Sequence, residues 1–162
     1  MNKKLKQIRV LITVMIAGLF VSGITVFPVN TELNALLQVL TPGSSMHEWV
    51  STILLRYNIV KNEAPQLLYG YDWLGFAHII LAILFIGPYR DPVKNIWIIQ
   101  FGMIASVLIF PLAFIAGHFR SIPIGWRLID CSFGVVAFII LNMIYHKTKS
   151  LQIKNISHEH NN

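Results

Sequence analysis

Four long apolar stretches dominate the hydropathy pattern of the chain. Each is long enough to cross the hydrocarbon core of a bilayer as a helix, which takes about 20 residues. The stretches lie at roughly residues 10–27, 67–87, 96–117 and 126–145. This pattern predicts an all-α fold, an integral membrane four-helix bundle within residues 1–150, and a disordered cytoplasmic tail at 151–162.

The loop between the first two stretches, roughly residues 28–66, has an amphipathic pattern of its own. Four leucines occupy one helix face with the spacing i, i+3, i+4 and i+7, namely Leu33, Leu36, Leu37 and Leu40. Thr41-Pro42-Gly43 ends this segment, and Ser45 with Glu48 forms a capping-box pattern that opens a second helix. The apolar stripe of the second helix consists of Trp49, Ile53, Tyr57 and Val60. We expect two short helices that lie on the outer membrane surface or cap the bundle, and a lid over a site is the alternative.

The first apolar stretch has two interpretations. A basic segment precedes it and Val21-Ser22-Gly23 is a poor cleavage site, a combination that a secretory signal peptide would show. The apolar residues continue past that site to Val29, which favours an uncleaved helix. The orientation of the chain is the same in both cases.

The third stretch carries signals for an irregularity and for close packing. Pro111 removes one backbone hydrogen bond and should kink the helix. Gly102 with Ser106, and Ala113 with Gly117, are small residues four positions apart. Because such pairs let neighbouring helices approach closely, we expect helix contacts along this face.

The composition fits a membrane protein. Hydrophobic residues make up 55% of the chain and charged residues 12%, whereas soluble domains carry roughly 25% charged residues. So few charges could not cover the surface of a soluble domain. The formal net charge is +6, but no basic stripe with interleaved aromatics is present, so we expect no nucleic-acid partner. The single cysteine, Cys131, excludes an internal disulfide and is expected to be a small buried hydrophobe.

The distribution of Lys and Arg predicts the orientation. With the N-terminus inside, nine basic residues fall on the inner side and four on the outer, which is a positive-inside bias. The inner residues are Lys3, Lys4, Lys6, Arg9, Arg90, Lys94, Lys147, Lys149 and Lys154, and the outer residues are Arg56, Lys61, Arg120 and Arg127. Both termini are therefore expected in the cytoplasm. The short Lys-rich start and the compact loops favour a bacterial inner membrane.

Polar residues inside the apolar stretches are the candidates for chemistry, because each costs free energy to insert. Antiparallel pairing about Asp91–Pro92 and about Ile122 places five of them in one outer-leaflet layer, namely Asp72, His118, Arg120, Arg127 and Asp130. On its own helix Arg127 is three residues from Asp130, a spacing at which the two can form an ion pair. The layer could be a pocket that binds an anionic headgroup or a small acid, or that passes protons. The alternative is structural, with interfacial arginines neutralised by the aspartates.

His78 lies near the centre of the second stretch, apart from this layer. A mid-membrane histidine in a helical bundle suggests a haem b ligand. His118 lies about 13 residues further out, or roughly 20 Å of helix, so the two cannot ligate one iron in a simple hairpin. A haem shared by two copies through His78 remains the alternative to a neutral histidine that is hydrogen-bonded to a neighbouring helix. We predict no metal site and expect no cofactor otherwise.

These observations predict a non-enzymatic membrane protein, either an accessory subunit or a lipid- or small-anion-binding protein. No nucleophile elbow, zinc-protease motif or phosphate-binding glycine loop is present in the sequence. One alternative is an oligomeric transporter or channel component that uses Asp72, Asp130 and His78, and the other is the haem-binding redox subunit. The expected partners are the lipid bilayer and either a partner membrane subunit or further copies of the chain.

Overall fold

The structure is a computed structural model that describes residues 3–159. Helices make up 87% of it and no strand occurs between residues 3 and 159, which confirms the predicted all-α class. Four helical segments are long and apolar enough to cross a membrane, as predicted: Lys3–Thr25, Pro65–Arg90, Ile96–Phe119 and Ile124–Ile153.

The helices α1 to α8 follow one another with short connections. Their bounds are α1 Lys3–Thr25, α2 Val29–Val39, α3 Ser45–Glu63, α4 Tyr69–Leu84, α5 Ile86–Arg90, α6 Ile96–Pro111, α7 Gly117–Phe119 and α8 Ile124–Glu159. A 3₁₀ turn at Pro65–Leu68 leads into α4, and a π-helical turn at Leu112–Ala116 joins α6 to α7. The chain divides into two compact units. One spans Ala17–Ala82, and the other combines the described residues up to Ile16 with those from Ile83 onward.

In the unit spanning Ala17–Ala82, α2 and α3 are the two amphipathic helices expected in the first loop. All eight residues of the two predicted apolar stripes are half-buried, in agreement with the periodicity. Val50, next to the second stripe, is fully buried. The Nδ2 of Asn30 donates a hydrogen bond of 2.7 Å to the Oδ1 of Asn58, which ties the two helices together.

The start of α3 differs in one detail from the predicted capping box. The N-cap is Ser44, whose Oγ accepts a hydrogen bond of 3.2 Å from the backbone N–H of His47. Ser44 has extended backbone angles, as an N-cap requires, whereas Ser45 is already the first helical residue. The predicted cap at Ser45 is therefore wrong by one residue, and the helix begins one residue earlier than that cap implies.

Within the same unit, α1 and α4 cross at two glycines with their backbones in contact. A Cβ on Gly23 would lie 2.8 Å from the carbonyl oxygen of Gly75, and a Cβ on Gly75 would lie 2.8 Å from the carbonyl oxygen of Gly23. A Cβ on Gly23 would also lie 2.8 Å from the Cγ1 of Ile79. No other residue type would allow the two helices to approach so closely.

In the other unit, α6 packs against α8 through the small residues singled out in the sequence. Gly102 and Ser106 are both buried. A Cβ on Gly102 would lie 2.9 Å from a Cδ of Leu141, and a Cβ on Gly134 of α8 would lie 2.8 Å from the carbonyl oxygen of Ser106. The expectation of close helix contact along this face is confirmed. Cys131 is buried on α8, as expected.

The ends of two spanning helices have further features. Pro111, at which we predict a kink, ends α6, and a π-helical turn begins directly after it. The predicted disorder of the tail at 151–162 stays a prediction; α8 is assigned to Glu159, and residues 160–162 lie outside the described residues. Leu151 is buried, and the Nζ of Lys4 donates to the Oγ of Ser150 at 2.7 Å, so packing extends the helix past the apolar stretch.

Candidate functional site

The turn between α7 and α8 is a Schellman motif. The N–H of Ile122 donates to the carbonyl oxygen of Gly117 at 2.9 Å, and the N–H of Ser121 donates to that of His118 at 3.1 Å. Ser121 occupies the left-handed position with a φ of 53°, which is uncommon for a residue with a side chain. The chain thus reverses within a few residues and brings the start of α8 beside the end of α7.

Arg127, in the first turn of α8, stabilises the turn between α7 and α8. Its Nε donates a hydrogen bond of 2.7 Å to the carbonyl oxygen of Ile122. The side chain lies flat against Gly117, where a Cβ would be 3.0 Å from the Cδ of Arg127 and 3.1 Å from its Nε. The absence of a side chain at Gly117 therefore lets the side chain of Arg127 pack against the backbone there. The hydrogen bond from Nε fixes the guanidinium at the turn and leaves the N–H donors of its two Nη atoms available.

A cleft of about 260 Å³ opens beside this arginine, and nine residues line it. The apolar part of the lining consists of Ile109, Leu112, Ala113, Ala116, Gly117 and Ile122, and the polar part consists of Arg120, Arg127 and Asp130. The cleft lies at the π-helical turn, because Leu112, Ala113 and Ala116 belong to that turn. It therefore combines an apolar wall with three charged side chains.

Two of the three charged groups have no partner within the part of the chain that the structure describes. The guanidinium of Arg120 and the carboxylate of Asp130 take part in no hydrogen bond or ion pair within residues 3–159. Asp130 is half-buried within a segment long and apolar enough to span a membrane. The ion pair considered between Arg127 and Asp130 is not formed, since Arg127 is bonded to the turn instead.

The structure thus brings together three of the five residues assigned to the outer polar layer, namely Arg120, Arg127 and Asp130. His118 lies on the adjacent α7, exposed, with its ring centroid 5.9 Å from that of Phe119, and it does not line the cleft. Of the layer predicted from the sequence, the cleft itself contains one carboxylate and two guanidiniums.

Asp72 belongs to the other unit and lies in the first turn of α4. It lines a shallow groove with Tyr69, Trp73 and Phe76. Trp73 makes edge-to-face contacts with both Tyr69 and Phe76, at centroid distances of 6.0 and 5.7 Å. An acidic residue at a helix start among exposed aromatics is typical of the membrane–water interface.

His78 is half-buried on α4, one helical turn after Gly75. Its Nδ1 lies 2.9 Å from the carbonyl oxygen of Leu74. A carbonyl only accepts, so Nδ1 carries the proton and donates this bond. No group within residues 3–159 bonds to the other ring nitrogen, Nε2. The expected hydrogen bond therefore goes to the residue's own helix.

The sequence does not predict the two backbone features that shape the cleft, namely the contact at Gly117 and the left-handed Ser121. The small-residue pattern identifies Gly117 as a position of close helix contact, but not as the position against which an arginine side chain packs. The left-handed Ser121 carries no sequence signal, because glycine or asparagine is the usual residue at this position. The one available hint was the depth pairing, which places Arg127 level with Gly117.

No protein-family model, curated protein or solved structure matches the chain. Among the described residues, no group of three or more His, Cys, Asp or Glu side chains is arranged to hold a metal ion.

Proposed function

We propose that this chain is a non-enzymatic multi-pass membrane protein, an accessory or binding protein that holds the phosphate of a lipid, or a similar small anion, in the cleft at the α7–α8 turn. The observation that carries the proposal is the unpartnered Arg120 guanidinium beside the fixed Arg127 in a cleft with an apolar wall. Two guanidiniums at one site are the usual protein ligands for a phosphate, because their planar N–H groups match its oxygens.

The membrane context supports a lipid as the source of the phosphate. The positive-inside distribution puts the α7–α8 turn on the outer side, with both termini in the cytoplasm, and a bacterial inner membrane is the compartment we propose. The apolar wall formed by Ile109, Leu112 and Ala113 adjoins the charged groups, as the acyl chains of a lipid adjoin its headgroup. The orientation is testable, since a membrane-impermeant maleimide should label Ser45→Cys and not Lys94→Cys in intact cells.

The binding test is native mass spectrometry of the protein extracted in mild detergent from its host. We expect retained phospholipid, and we expect Arg120→Gln to reduce retention about tenfold, the worth of one charge-assisted hydrogen bond. Arg90→Gln is the matched control, because Arg90 ends α5 at the opposite end of the α6 span. Equal retention by both variants and the wild type would refute a role for the cleft. Co-purifying polypeptides would identify the protein as an accessory subunit.

A second candidate function rests on His78. Histidines that ligate metals commonly donate from one ring nitrogen to a backbone carbonyl and bind through the other, and the bond from Nδ1 to Leu74 leaves Nε2 in that state. Two copies that each offer His78 would supply both axial ligands of a haem b. The expected result is a Soret band in the purified protein that His78→Ala removes and His118→Ala leaves. A colourless preparation from haem-replete cells would exclude this function.

A further inference from the structure

The charges in the cleft do not match a simple anion. Arg120 and Arg127 together carry two positive charges, but the carboxylate of Asp130 lines the same cleft of about 260 Å³. A purely anionic ligand would bring its negative charge beside this carboxylate, and the two would repel. A ligand that carries a phosphate and a cation close together would instead satisfy both signs.

Among the described residues, no cationic group forms an ion pair with Asp130. Arg127 is within reach on the same helix, but its Nε is bonded to Ile122 and its side chain is held against Gly117. A half-buried carboxylate within a spanning segment carries a desolvation cost that a hydrogen-bonding cation offsets. The carboxylate of Asp130 is thus available to accept hydrogen bonds from a cationic group of a ligand in the cleft.

The lining also discriminates between kinds of cation. None of the nine residues that line the cleft is aromatic. A quaternary ammonium has no N–H to donate and is recognised by aromatic faces, which are missing from this lining. A primary ammonium offers three N–H donors and bonds directly to a carboxylate.

From these observations we propose that the cleft recognises a phosphodiester joined to a primary ammonium, the headgroup of a zwitterionic aminophospholipid such as phosphatidylethanolamine. Arg120 and the Nη groups of Arg127 bind the phosphate, and Asp130 accepts hydrogen bonds from the ammonium. The acyl chains stay in the bilayer along the apolar wall. This inference rests on the proposed lipid-binding function and specifies its ligand.

The experiment is a lipid competition measured by native mass spectrometry. Full-length protein in detergent is mixed with equal amounts of phosphatidylethanolamine, phosphatidylcholine and phosphatidylglycerol that carry the same acyl chains. We expect phosphatidylethanolamine to be retained about tenfold over each of the others, because one charge-assisted hydrogen bond sets the preference. Asp130→Asn should abolish the preference over phosphatidylglycerol without reducing binding of phosphatidylglycerol itself.

Two further variants keep the test interpretable. Asp130→Glu retains the carboxylate and should retain the preference, so it reports on recognition if Asp130→Asn does not fold. Asp91→Asn makes the same chemical change at the other end of α6, where an asparagine oxygen can still accept the bonds from Val93 and Lys94, and it should behave as wild type.

The outcomes separate the two proposals. If no phospholipid is retained by the wild type, the proposed function fails. If phosphatidylglycerol or phosphatidylcholine is retained as well as phosphatidylethanolamine, or if Asp130→Asn keeps the preference, the headgroup assignment fails while lipid binding stands. Soluble glycerophosphoethanolamine is the second probe. A rise in melting temperature with it, reduced in Asp130→Asn, would confirm the headgroup chemistry and show that a soluble ligand suffices, whereas a rise with the lipid alone assigns the ligand to the membrane.

Discussion

The crossing of α1 and α4 at Gly23 and Gly75 allows a stringent test of helix packing. Adding one methyl group at Gly23 would place it 2.8 Å from the carbonyl oxygen of Gly75, and that oxygen belongs to the backbone and cannot rotate away. The helices must therefore separate to admit the methyl group. Gly23→Ala is the perturbation, and Gly75→Ala is its reciprocal.

The size of the effect follows from the contact. An ordinary carbon–oxygen contact is at least about 0.5 Å longer than the distance that alanine would impose, and overpacking of this kind costs about 1–3 kcal/mol. Alanine also favours the helix by up to about 1 kcal/mol relative to glycine. This second effect applies to any glycine in these helices, so a matched control removes it.

Gly18 in α1 and Gly70 in α4 are the matched controls, because a Cβ at either position has no neighbour within 4 Å. The difference in unfolding free energy between Gly23→Ala and Gly18→Ala should be about 1–3 kcal/mol, or roughly 5–150-fold in the unfolding equilibrium constant. The assay is reversible unfolding in mixed micelles of increasing denaturing-detergent fraction, followed by circular dichroism. If Gly23→Ala and Gly18→Ala unfold at the same detergent fraction, the glycine crossing does not determine this packing.

Three further outcomes can be measured by the same unfolding assay. Ser44→Ala removes the N-cap of α3 and should destabilise the protein by about 1 kcal/mol, whereas Ser45→Ala should leave stability unchanged. Ser121→Val places a β-branched residue at positive φ and should cost at least about 1 kcal/mol, whereas Ser121→Gly should be neutral within the assay error. Gly117→Ala displaces the side chain of Arg127 and should lower the free energy of unfolding by about 1–3 kcal/mol. The same variant should also retain less lipid, and unchanged retention would show that the position of Arg127 at the turn does not affect binding in the cleft.

The spanning helices and the loop helices were predictable because hydropathy and periodicity depend on the local sequence alone. A run of about 20 apolar residues has no soluble alternative, and the stripe from Leu33 to Leu40 admits one helix face. The contact between the end of α8 and α1 was not predictable, because it depends on the tertiary structure. Ser150 bonds to Lys4, a residue far away in sequence. Polarity alone does not predict such a contact.

Counting residues from the α7–α8 turn predicts which residues lie level with one another, but not the direction in which each side chain points. Counting residues from the turn placed Arg127 level with Gly117, and the two are in contact. The same counting does not tell which way a side chain points around the helix. Gly117 and Arg120, on either side of His118, line the cleft, and His118 does not.

The irregular backbone also explains why the cleft contains unsatisfied charge. In a regular helical hairpin Arg127 would be free to pair with Asp130, and the carboxylate would be neutralised within its own helix. The left-handed turn at Ser121 instead presents the carbonyl oxygen of Ile122 to the arginine, and Gly117 lets the side chain lie flat enough to reach it. The guanidinium of Arg127 thus stabilises the turn instead of pairing with the carboxylate of Asp130. The turn therefore leaves Asp130 without the guanidinium as its partner, and the ligand that we propose would stabilise the folded protein by an amount set by its concentration relative to its Kd.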